Sequence, residues 1–119
     1  MPEAVPWARH ALVRCLRAWG LTELISPLEL VVGELVTNAV CHGRGPITLA
    51  LEVLPGRLRV EVHDRGGGTP AIRPAHTAGP QLGGWGLRLV DNLVDAWGSD
   101  VRSGRTVVWV EQGIVRGRS

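Results

Sequence analysis

At Pro46 the hydrophobic period of the chain changes, and this switch limits the folds open to it more than any other feature. Upstream, Ala8, Ala11, Leu12, Cys15, Leu16 and Trp19 fall on one helical stripe, and Leu28, Val31, Val32, Leu35 and Ala39 on a second. Downstream, Ile47, Leu49, Leu51 and Val53 alternate with Thr48, Ala50 and Glu52. After Pro55-Gly56, Leu58, Val60 and Val62 alternate with Arg57, Arg59, Glu61 and His63, which is the period of a β-hairpin with one oily face. Such a sheet needs a layer over it, and the two amphipathic helices are the available cover.

The ends of these elements carry their own signals. Gly20 stops the first helix. Ser26 as N-cap, Pro27 at the first helical position and Glu29 as the return partner of a capping box predict where the second begins, and Gly43 with Pro46 where it closes. A Gly- and Pro-rich loop from Arg65 to Gly84 precedes a third helical pattern, Leu87, Val90, Leu93 and Val94. Two further strands, Ala96 to Arg102 and Arg105 to Glu111, meet at Ser103-Gly104. This order predicts an α+β fold, a two-layer sandwich with a mixed, mostly antiparallel sheet covered on one face by three helices. The 119 residues make one domain, 1–119, with 113–119 expected to fray.

Composition narrows the function classes. All thirteen basic residues are Arg, but they are scattered among eleven acids for a net charge of +2, which argues against direct nucleic-acid binding. No apolar stretch is expected to approach the roughly 20 residues of a membrane helix, and the start lacks a signal-peptide core, so no membrane contact and a cytoplasmic location are expected. Cys15 and Cys41 lack metal-ligand spacing and are expected to be buried thiols.

Three polar features carry chemistry. Glu34 and Asn38 lie one turn apart on the second helix, on a face distinct from its apolar stripe; an exposed polar face is the plain alternative. The second strand ends in Asp64-Arg65-Gly66-Gly67-Gly68, either a simple glycine turn or an acid placed to accept hydrogen bonds beside a backbone that a ligand can approach. Gly83-Gly84-Trp85-Gly86-Leu87 opens the third helix, where free N–H groups and the helix dipole favour an anion. A Walker A loop is excluded, because the chain contains no Lys.

In this order, Glu34 to Gly43, Asp64-x-Gly66-x-Gly68 and Gly84-x-Gly86-Leu87 resemble the ATP-binding signature of the GHKL superfamily. The Asn38-Ala39-x-x-His42-Gly43 ending and the Ala96-Trp97-Gly98 strand start are similar to its anti-sigma factor serine/threonine kinase branch, with a histidine kinase-like ATPase domain. The resemblance implies the Bergerat fold with ATP/ADP and Mg²⁺ as ligands. It implies Asn38 as the Mg²⁺ ligand, Glu34 as general base and Asp64 as acceptor of the adenine amino proton above Gly66 and Gly68. Gly84, Gly86 and Leu87 would bind phosphate, with His42 near the phosphates and Thr106 near the base; a His42 satisfied by backbone carbonyls is the alternative. Residues 69–83 would form the ATP lid, with Trp85 beside it. The implied activity is phosphorylation of a STAS-type anti-anti-sigma protein, together with binding of a sigma factor; Arg9 lies about as far ahead of Glu34 as a basic, partner-facing residue does in such kinases, a solvated face being the alternative. Homodimers are frequent in that branch. The competing expectation is a non-catalytic ATP/ADP-binding module acting through protein contact.

Overall fold

A computed structural model of the chain describes residues 3–42, 46–65, 90 and 93–114. The first helix, α1 (Ala4–Ala18), buries the row Ala4, Ala8, Leu12 and Leu16. It ends as its sequence requires. Gly20 takes φ +72, its N–H donates to Arg17 O at 3.2 Å, and Leu21 N–H donates to Leu16 O at 2.8 Å. These two bonds are the Schellman closure, in which a left-handed glycine lets the chain satisfy carbonyls the helix leaves open.

The second helix, α2 (Ile25–His42), does not start at a Ser26 cap. A 3-10 turn, Thr22–Leu24, runs straight into it, so Ser26 and Pro27 lie within its first turn and the expected capping box is absent. Pro27 costs little there, because first-turn N–H groups have no acceptor inside the helix. Leu28, Val31, Val32, Leu35, Val36 and Ala39 are buried. The 20-residue stretch Thr22–Cys41, with mean hydropathy 1.5, is long and apolar enough to cross a membrane, contrary to the expectation above; half of it is buried, as in a core helix. Its acids interrupt the apolar run without lowering the average enough.

The strands β1 (Thr48–Leu54), β2 (Arg57–Asp64), β3 (Ala96–Arg102) and β4 (Arg105–Gly113) form one sheet in the order β1-β2-β4-β3. All three pairings are antiparallel, so the mixed element expected of the sheet is not found among the described strands. Ser103 and Gly104, with φ 49 and 76, make the β3–β4 turn with the two left-handed residues that match strand twist. Beyond β4, Ile114 N–H bonds Gly56 O at 3.0 Å. Of the expected third helix, Val90 and Leu93 have helical backbone, and Val90 is buried in the core.

One sheet face, carrying Leu58, Val60, Val62, Val108 and Val110, packs with α1 and α2 into a single core. On the other face Arg59 sits 4.5 Å above the Trp109 ring and donates to Glu61 at 2.8 Å and Glu111 at 2.7 Å. Burial tends to raise the Glu61 carboxyl, but hydrogen bonds from Arg59 and His63 outweigh it and hold the group below the usual range. Cys15 is half-buried and Cys41 exposed, so Cys41 is not the buried thiol expected. Arg9, Arg14 and Arg17 are exposed.

Candidate functional site

Three polar side chains are buried among the described residues, Asn38 at 6%, Asp64 at 2% and Thr106 at 1% exposure, and all three are candidate site residues. Their positions follow from the periods of their elements. Inward-facing positions of β2 run Leu58, Val60, Val62, Asp64, and those of β4 run Val110, Val108, Thr106. Asp64 and Thr106 are direct cross-strand partners, so the oily face ends in a carboxylate beside a hydroxyl. Val101, the partner of Thr106 on β3, leaves an exposed apolar side chain next to them.

Asn38 approaches from the helix layer. It is buried, not on a solvated polar face as the spacing suggested. Connectivity limits how far it lies from that end of the sheet. The helix ends at His42, β1 starts at Thr48, and Thr48 pairs with His63, next to Asp64. Six Cα steps between His42 and Thr48 span at most about 20 Å. Asn38 Nδ2 and Thr106 Oγ1 are buried without a hydrogen-bond partner among the described residues. A buried polar atom left so costs roughly 1–3 kcal/mol, and such cost concentrates where a ligand is to be met.

Glu34, one turn before Asn38, is half-buried. Burial raises its carboxyl above the ordinary range, and the Arg9 guanidinium opposes that rise in part. Arg9 reaches over from α1, its Nε–H donating to Glu29 O at 3.2 Å. It passes Gly33, where a Cβ would lie 2.5 Å from Arg9 Nη2. Gly33 was not among the expected site residues. The available signal was a glycine in mid-helix, where alanine would be better by about 0.5–1 kcal/mol.

His42 closes α2. Gly66, Gly68, Gly84, Gly86 and Leu87, the lid 69–83 and Trp85 lie outside the described residues. Beside Asp64, a cleft of about 40 Å³ is lined by Pro46, Thr48, His63, Asp64, Arg65 and Arg105. It has room for about a water molecule, far below the few hundred Å³ of a nucleotide site. Among the described residues no three of His, Cys, Asp and Glu gather to hold a metal. A single amide oxygen at Asn38 suits a hard cation that takes its remaining ligands from water and phosphate.

A family model for the histidine kinase-like ATPase domain matches residues 1–111. The chain is 31% identical over 99 residues to an anti-sigma F factor of Geobacillus stearothermophilus, a match covering 72% of this chain and 68% of the relative. It is 31% identical over 96 residues to the anti-sigma F factor of Geobacillus kaustophilus, covering 70% and 66%. Among solved structures, a histidine kinase domain from the blue-light activated histidine kinase of Erythrobacter litoralis EL346 superposes with TM-score 0.58 at 27% identity. That match covers 77% of this chain and 45% of the other. Acinetobacter baumannii histidine kinase AdeS shares the fold at TM-score 0.56 and 16% identity, over 75% of this chain and 46% of its own. With four antiparallel strands under two amphipathic helices among the described residues, and a family model matching residues 1–111, the chain belongs to the histidine kinase-like ATPase domain family.

Proposed function

We propose that this protein binds Mg-ATP and acts as an anti-sigma factor of the serine/threonine kinase type, phosphorylating a STAS-type anti-anti-sigma protein and binding a sigma factor. One observation carries the reading: among the described residues, the polar ones buried in an otherwise apolar core are three that the resemblance assigns to base and metal recognition, Asn38, Asp64 and Thr106. The similarity to anti-sigma F factors supports the choice of partners.

In this reading Asp64 accepts the adenine amino proton, and Thr106 offers its hydroxyl to the same ring from the neighbouring strand. Asn38 supplies the protein oxygen for Mg²⁺, which when bound neutralises phosphate charge. Glu34, one turn from Asn38, takes the proton of the substrate serine or threonine hydroxyl as its oxygen attacks the γ-phosphorus and the bond from that phosphorus to the β,γ-bridging oxygen breaks, so that ADP leaves with the bridging oxygen. A carboxylate whose affinity for the proton is raised by burial is a stronger base than an ordinary glutamate.

The test has two stages. A melting scan with and without Mg-ADP should show stabilisation; at about a hundredfold over the dissociation constant the gain is roughly 2.7 kcal/mol. Labelled γ-phosphate should then pass to a STAS-type partner with the wild-type chain and not with Glu34→Ala, whose nucleotide affinity should remain. Nucleotide binding without transfer to any partner would replace the kinase with a non-catalytic module.

A further inference from the structure

We propose that Arg9, seated against α2 in the notch left by Gly33, is a positioning residue for Glu34, setting the charge and placement of the turn that carries the catalytic carboxylate. The proposal deepens the reading of Glu34 as general base and rests on it.

The seat is built by three features. Gly33 is buried in mid-helix without positive φ, so its backbone conformation does not call for glycine. Its reason is space: a Cβ there would stand 2.5 Å from Arg9 Nη2, 3.0 Å from Nε and 3.1 Å from Cζ. The guanidinium therefore lies flat against the helix, where its Nε–H reaches Glu29 O at 3.2 Å. On α2 itself, Thr37 Oγ1 donates to Gly33 O at 2.7 Å, tying this turn to the next. The seat adjoins Glu34 directly in sequence.

Electrostatics gives the seat its consequence. Arg9 from α1 is the charged group that opposes the rise which burial gives the Glu34 carboxyl. A guanidinium resting against Gly33 and bonded to Glu29 O applies its field from one place, although Arg9 is exposed and solvent weakens that field. The planar, permanently charged guanidinium suits the notch, and a lysine would not reproduce it.

The test compares wild type, Arg9→Ala, Gly33→Ala and the double variant. Each single variant should lower kcat for phosphate transfer at saturating substrate by about fivefold, the scale of one charge acting through a half-exposed surface. The acid limb of the pH profile should move to higher pH, and the double variant should be no worse than Arg9→Ala. By NMR, a nuclear Overhauser contact between Arg9 Hε and Gly33 Hα should be present in wild type and absent from Gly33→Ala. If KM rises while kcat and the pH profile stay fixed, Arg9 is only a partner contact and the proposal falls. It falls equally if the Overhauser contact is missing in wild type. A wild-type chain that transfers nothing removes the reading of Glu34 and this proposal together, whereas an active wild type matched by an equally active Gly33→Ala removes this proposal alone.

Discussion

Thr106→Val separates the cost of the site from its use. Thr106 is 1% exposed on β4, at an inward position where the next two inward residues are Val108 and Val110. Its Oγ1 has no hydrogen-bond partner among the described residues. Valine has nearly the same shape and favours strands at least as well, so packing should be unchanged. What the substitution removes is a desolvated hydroxyl, a group whose burial without a partner costs roughly 1–3 kcal/mol. The variant should thus be more stable than wild type by about 1 kcal/mol without nucleotide, and melt about 4 °C higher for a domain of this size. With Mg-ADP the order should narrow or reverse, because the hydroxyl would now be serving the base. Urea unfolding with and without Mg-ADP measures both arms. A variant less stable than wild type without ligand would show that the hydroxyl already has a structural partner, and the argument from buried polar cost would lose its basis.

Other substitutions probe the remaining groups. Asp64→Ala should abolish adenine-nucleotide binding in calorimetry, since a buried acceptor cannot be replaced by its glycine neighbours; unchanged ADP affinity would remove Asp64 from base recognition. Glu34 has a carboxyl raised by burial against a weaker opposing effect of Arg9, so the folded state holds its proton more tightly than the unfolded chain does. Its favourable contribution is complete below the ordinary glutamate range and is lost as pH rises through the raised value. Glu34→Gln should therefore match wild type in urea midpoint near pH 4 and exceed it at pH 8, and a variant weaker at pH 8 would contradict this sign. At Gly98, a Cβ would lie 2.8 Å from Trp109 Cζ2, so Gly98→Val must push the indole from beneath Arg59. A loss of roughly 1–3 kcal/mol in chemical unfolding is expected, and a neutral result would mean the ring relocates freely.

Much of the frame was legible in the sequence because the periods of α1, α2, β2 and β4 matched the burial they met, whereas β1 has no fully buried residue and its Val53, expected on the inward row, is exposed. The two helical stripes, the hairpin at Pro55-Gly56 and the strand pair at Ser103-Gly104 all stand where the pattern put them. The start of α2 was not legible. Ser26, Pro27 and Glu29 form a good local cap, but the 3-10 turn at Thr22–Leu24 places Leu21 and Leu24 in the core and carries the helical path through the cap position. Burying two leucines, at about 1.5–3 kcal/mol each, outweighs a cap worth about 1. Cys41 was misjudged for a related reason: helical spacing assigns a residue to a stripe but does not say how far the covering layer extends along the helix.

Asn38 shows how the site was partly hidden by a grouping that chemistry suggested. Glu34 and Asn38 are one turn apart, and treating them as one polar face placed both outside the apolar stripe. Yet Asn38 also follows Val31 and Leu35 at spacings of seven and three, which is the stripe itself. The line through Glu34 and Asn38 therefore borders the core, half-covered at Glu34 and fully covered at Asn38. On the strands the same rule was open to use, since Asp64 continues Leu58, Val60 and Val62 in step, and Thr106 precedes Val108 and Val110. A polar residue that keeps the period of an apolar row is carried inward by its neighbours, which supply the burial energy that it spends. When two elements each do this at the same end of a sandwich, the polar residues are brought together by the packing of their apolar neighbours. In this chain the core that holds the fold thus also sets Asp64 beside Thr106 and turns Asn38 inward, the three buried candidates for the proposed site.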